Sequence, residues 1–235
     1  NHLKHLGISA RELRRLFATD TDYTTVAREY LGLSQEELDA LVESSDEVTE
    51  DSVESAYGYT GSSFISNMST LSTFMETTDL EAEDVRELLY QKLYIDPSGH
   101  SIVEDGRESF YINRGLDANV ESIYYSGYVT LSTDEITFEW KSLSDESSTG
   151  TTLPLKWFDR ASRFVRFAQK TGLSFSELDH ILRYCCQVND IPSINSDTLL
   201  IIAQVVYLHK TFEQPIDTIV AVLSSISYTG RTNED

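Results

Sequence analysis

Cysteine is nearly absent from this chain: the only two, Cys185 and Cys186, are adjacent. A bridge between neighbours is strained and closes no useful loop. With no other Cys, a thiolate metal site lacks ligands. The pair reads as two small thiols on a helix and does not report the redox compartment. Bases are also scarce, with 18 Lys and Arg against 39 Asp and Glu and a formal charge of −21. Such a surface repels nucleic acid and anionic membrane, so neither is expected as a partner. Long apolar runs are missing too. Residues 199–208 form the best candidate, about half the roughly 20 residues that span a bilayer, and they read as a buried helix. No signal-peptide pattern opens the chain, which begins Asn1-His2 as an excised fragment would.

Catalytic signatures are equally thin. There is no Gly-x-Gly-x-x-Gly, Walker loop or Gly-x-Ser-x-Gly. The histidines (His2, His5, His100, His180 and His209) form no His-Glu-x-x-His and no ligand pair on a patterned helix. Between residues 36 and 54 stand nine acids and no base. The glycine and alternating oxygen ligands of a calcium loop are missing, so the run reads as a solvated face or a loop. Acids are so abundant that no pair stands out for general acid–base work. The expectation is a chain that is not an enzyme and uses no cofactor or metal. A hydrolase with scattered catalytic residues is the alternative from that class.

What is present is helical patterning. Three copies of a short joint recur: Gly7-Ile8-Ser9-Ala10-Arg11-Glu12-Leu13, Gly32-Leu33-Ser34-Gln35-Glu36-Glu37-Leu38 and Gly172-Leu173-Ser174-Phe175-Ser176-Glu177-Leu178. Glycine stops one helix, Ser caps the next, and the acid three residues on reaches back to the Ser backbone. Apolar stripes predict helices around Val26–Leu31, Leu38–Val42, Leu71–Met75, Val85–Leu89, 156–170, 196–208 and 216–226. Asn195 or Ser196 is the predicted cap of the long helix that follows, and Pro215 starts the last one. Residues 52–63, rich in Gly, Ser and Tyr, read as a loop. Short β-branched and aromatic runs at 110–112, 123–125, 128–131 and 136–140, separated by turn residues, predict strands and hairpins. The fold class expected is therefore mainly α, a helical bundle-like segment with a small antiparallel β insertion around residues 96–145. The expected organisation is an N-terminal helical region (1–95), a hairpin-rich segment (96–150) and a C-terminal helical region (151–235).

One helix leaves something over. On a wheel of about 100° per residue, Trp157, Phe158, Ala161, Phe164, Val165 and Ala168 share one arc. Lys156, Arg160, Arg163, Arg166 and Lys170 fall opposite, with Phe167 near them. The bland account is an exposed face paired locally, for instance Asp159 with Arg163 at i,i+4. The sharper account is an interaction face formed by Lys156, Arg160, Arg163, Arg166, Phe167 and Lys170, docking on an acidic surface such as the run at 36–54 or a partner. A free-standing helical interaction module using this face is the second functional reading.

The same stretch carries a resemblance. Asp159, Arg160, Arg163, Phe164, Arg166, Lys170, Gly172, Leu173, Ser174, Glu177, Leu178 and Asp179 stand in a pattern similar to that of the A components of bacterial Tc toxin complexes and the related Salmonella virulence-plasmid A proteins. Tyr30-Leu31-Gly32-Leu33-Ser34 with Glu37-Leu38 resembles that family's leading region, and the strand-like stretch 109–140 fits its place in order. The resemblance implies a piece of a very large secreted subunit that assembles as a pentamer, with an α-helical shell around a translocation channel. It implies partners among other segments or protomers of the same subunit and other toxin components. It implies no direct membrane insertion by this segment, which lacks anything like the long channel helices.

Overall fold

Several helix boundaries in this protein are made locally. In the computed structural model, which describes residues 23–42, 48–89, 110–113, 127–142, 149–150, 152–185 and 193–231, eleven helices and three short strands are seen among the described residues. The helices are α1 (Tyr23–Leu31), α2 (Gln35–Leu41), α3 (Glu50–Tyr57), α4 (Phe64–Met68), α5 (Leu71–Thr78) and α6 (Ala82–Leu89). After them come α7 (Phe110–Asn113), α8 (Leu155–Thr171), α9 (Phe175–Cys185), α10 (Ser196–Phe212) and α11 (Ile216–Arg231). The strands β1 (Gly127–Leu131), β2 (Phe138–Ser142) and β3 (Thr149–Gly150) lie between α7 and α8. The fold class is mainly α with a small antiparallel β insertion, as the patterning indicated.

Two of the recurrent joints close as their chemistry dictates. Ser34 N–H donates to Glu37 at 2.7 Å, and Glu37 N–H donates to the Ser34 hydroxyl at 3.0 Å. Ser174 and Glu177 repeat the exchange at 3.0 and 3.2 Å. Between α8 and α9, Gly172 takes φ +74°, a left-handed conformation that a Cβ would penalise, and its N–H closes on Ala168 O. The copy at Gly7–Leu13 lies outside the described residues. Asn195 caps α10, its side-chain oxygen accepting from Asp197 and Thr198 N–H, each at 3.0 Å. A cap of this kind is worth about 1 kcal/mol.

Two local expectations are corrected. Residues 52–57 are helix, not loop. Thr49 caps α3 and exchanges hydrogen bonds with Ser52, while Glu50 and Asp51 occupy the first turn, where acids favour the helix dipole. Residues 110–112, expected as strand, form most of the single turn α7. The expected strand at 123–125 lies outside the described residues. Of the remaining strand expectations, 128–131 falls in β1; of 136–140 only 138–140 falls in β2, while Ile136 and Thr137 belong to the turn at 132–137 that joins the strands.

Contacts group the chain into two units. One unit is Asn1–Glu43 with Ile194–Asp235; the other is Ser44–Ser193. The reason lies in contacts distant in sequence. In the first unit α1 packs on α10 and α10 on α11, with Tyr30 and Tyr207 edge-to-face at 5.9 Å. Leu31, Ile202, Val205, Val206 and Ile216 are buried there, burial that drives α1, α10 and α11 together.

In the second unit α8 is the centre, contacting α3, α7 and α9. Trp157 and Phe158 meet Phe64, Phe74 and Phe138 with ring centroids 5.3–5.7 Å apart, in tilted and edge-to-face pairs. β1 pairs antiparallel with β2, Val129 opposite Trp140, and every β1 residue is buried. The hairpin is tied to the α4–α5 junction: Leu71 N–H donates to Ile136 O and Phe138 N–H to Ser69 O, both at 2.8 Å. At Gly127 the strands approach so closely that a Cβ would collide with Lys141 O and the Trp140 ring.

Candidate functional site

The six residues expected to form a basic interaction face do not share one surface. Arg160 and Phe167 are fully buried, each 0% exposed, which corrects their assignment to that face. Arg163 is largely covered and lies against Asp159, as the i,i+4 spacing predicted. Its Nε donates to both carboxylate oxygens at 3.0 Å, and its Nη2 lies 2.9 Å from Oδ1. Lys156 is half-buried, while Arg166 and Lys170 are exposed. The physical reason is crowding. A wheel assigns one buried arc, but α8 has neighbours on several sides, and the arc holding Arg160 and Phe167 is covered as well.

Arg166 does turn toward the neighbourhood of the acidic run, but its acceptor is backbone. Its guanidinium donates to Ala56 O in the last turn of α3, where a cation complements the helix dipole. Beside it lies a shallow depression of about 150 Å³ that includes Tyr57, Thr77, Thr78 and Gln169. Its donors are turned into the protein. The Thr77 and Thr78 hydroxyls donate to Thr73 O and Phe74 O at 2.7 Å, and Tyr57 donates to Phe158 O at 2.9 Å. Burial pushes the Tyr57 phenol well above its ordinary value; the Asp159 charge adds to this and Arg166 opposes it. Tyr57 and Arg166 tie α3 to α8, the two threonine bonds lie within α5, and these groups do not converge on a reacting atom.

The strongest polar constellation lies where sequence reasoning did not look. Arg160 Nε donates to Tyr111 O at 2.7 Å, and its guanidinium carbon sits 4.2 Å from the centroid of the Tyr111 ring. Tyr111 N–H donates to Asp179 Oδ1 at 2.8 Å, and Arg183 Nε donates to Asp179 Oδ2 at 3.1 Å. Asn113 Oδ1 accepts Val129 N–H at 3.1 Å, tying α7 to β1. Asp179 and Arg160, on consecutive helices, thus grip both peptide groups of one residue. A buried charge is costly unless it is met: Asp179 is paired with Arg183, and Arg160 is hydrogen-bonded through Nε, while its buried Nη1 makes no hydrogen bond among the described residues. Asp179 and Arg160 belong to the pattern quoted above, but nothing in that pattern pointed to Tyr111 or Asn113 as their partners.

Among the described residues no cluster of three or more His, Cys, Asp or Glu could hold a metal ion. No described helix is long and apolar enough to cross a membrane. His209 Nδ1 lies 2.7 Å from Gln214 O, at the turn between α10 and α11. Cys185 is half-buried at the end of α9, and Cys186 lies outside the described residues. No family model, curated protein or solved structure matches the chain.

Proposed function

We propose that this chain is a non-catalytic structural segment of a large toxin translocation subunit like the A components of Tc toxin complexes, contributing to its α-helical shell. One observation carries the reading: residues of the family-like pattern serve as architecture. Arg160 and Asp179 hold α7, Asp159 pairs with Arg163, Arg166 meets the end of α3, and Gly172, Ser174 and Glu177 make the joint into α9. On this reading the partners are other segments or protomers of the parent subunit and companion toxin components, and the parent is secreted. Electron microscopy of the full natural chain tests it. A large oligomer with this segment in its outer wall is expected; a small monomeric protein overturns it.

A second reading, a helical interaction module, draws on the exposed Arg166 and Lys170 in a chain of charge −21. Reversing Lys170 and Lys156 to Glu would then abolish capture of an acidic partner while the circular dichroism spectrum stays unchanged. Undiminished capture by the folded variant refutes it. Arg160 is unsuitable for that test, because reversing a buried cation unfolds the helix it serves.

A further inference from the structure

Residues 110–113 sit in the second unit as a bound peptide sits in a receptor. A four-residue helix makes little more than one turn of its own, and the groups that hold α7 come from distant parts of the chain. Tyr111 gives its N–H to Asp179 and its carbonyl to Arg160, 68 and 49 residues away in sequence. Its ring stacks on Phe164 with centroids 5.5 Å apart and planes 18° from parallel. Ile112 and Asn113 are fully buried beside it, and Asn113 receives Val129 N–H. The recognition is specific: both peptide groups of one residue, an aromatic ring on it, an aliphatic side chain next and a carboxamide after that. An empty slot would leave a carboxylate and a guanidinium in an apolar setting without the backbone they bind, so it demands an occupant.

Connection lengths allow that occupant to come from elsewhere. Twenty residues, 90–109, join α6 to α7, and thirteen, 114–126, join α7 to β1. Their extended reach is roughly 65 and 40 Å. The geometry points to a peptide-binding slot between α8, α9 and β1, selective for Tyr-Ile-Asn. It is filled here by the chain's own segment and accepts the same segment from a second copy. This inference does not depend on the toxin reading.

The test uses the full chain carrying Tyr111→Ala and a synthetic peptide spanning residues 107–116. The variant is expected to melt lower than the parent, and added peptide is expected to raise its Tm progressively with concentration. The same peptide N-methylated at Tyr111 cannot donate to Asp179 and should bind at least about tenfold more weakly, the value of a hydrogen bond to a charged group. Absence of any recovery, or equal recovery with both peptides, overturns the proposal. A second arm leaves the slot unsubstituted: protease sites are introduced within 90–109 and 114–126 and the chain is cut there. The cut segment should co-elute with the remainder and exchange with labelled peptide. A segment that dissociates, or that labelled peptide never replaces, overturns it equally.

Discussion

Asp179 is the residue whose removal tests the buried grip on α7 most directly. It is 2% exposed and accepts from Tyr111 N–H at 2.8 Å and from Arg183 Nε at 3.1 Å. In Asp179→Ala the Tyr111 amide loses a bond to a charged acceptor, a loss of about 1.5–3 kcal/mol. The Arg183 pair adds about 0.2–1 kcal/mol, because that side chain is 24% exposed and can turn to water. Relief of the carboxylate's own desolvation works the other way, so the net cost expected is about 2 kcal/mol. Asp179→Asn keeps an oxygen for the Tyr111 N–H and loses only the charge, so about 1 kcal/mol is expected. The chain forms two units, so the reading is best taken locally, by hydrogen exchange at the Tyr111 amide. Protection should fall roughly thirtyfold in the Ala variant and about fivefold in the Asn variant, at 1.4 kcal/mol per decade. Urea midpoints should follow the same order with an unchanged slope. Protection equal to wild type in both variants would refute the claim that the carboxylate holds this segment.

Two further outcomes follow from geometry elsewhere. Gly127→Ala should destabilise the hairpin by about 1–3 kcal/mol, the cost of overpacking against the Lys141 carbonyl and the Trp140 ring. Thermal melts check this, and a variant as stable as the parent would show that β1 can move away from β2 at no cost. The Asp134 carboxyl is held below its ordinary value, first by the Ser132 hydroxyl at 2.5 Å and then by Ile136 N–H at 3.2 Å. A depressed carboxyl contributes stability above its unfolded pKa and loses it as pH falls through the lower folded value. Wild type should therefore exceed Asp134→Ala at neutral pH, with the two curves converging in the acid range below 3.8. Curves that stay parallel into acid would assign the effect to something other than this charge.

Some of the candidate site could be read in advance and some could not, and the division follows contact range. The Asp159–Arg163 pair lies one helical turn apart, so its spacing alone predicted it. Arg160 shares a basic arc with Arg163 by the same geometry, yet it is buried, because its acceptor belongs to a residue 49 positions earlier. The strand expected at 110–112 rested on β-branched and aromatic propensity, a weak preference that packing overrides. Here the peptide groups of Tyr111 are taken by two side chains instead of a neighbouring strand. The helix at 50–57 was legible but missed: Thr49 and Ser52 have cap spacing, and the glycine-rich composition belongs to the turn beginning at Gly58.

Residue order alone sets several helix boundaries, namely the capped starts at Ser34, Ser174 and Asn195 and the stop at Gly172, together with the hairpin turn near Asp134, and hence a mainly helical fold with a β insertion. Those decisions are made by bonds between residues two to four apart, which the order of residues specifies directly. Long-range packing sets the rest: α1 joins α10 and α11 in one unit, Arg160 and Asp179 face inward, and 110–113 is a turn gripped from two helices. Each depends on groups tens of residues apart sharing a desolvated space, where an unmet charge is costly and a met one fixes the arrangement.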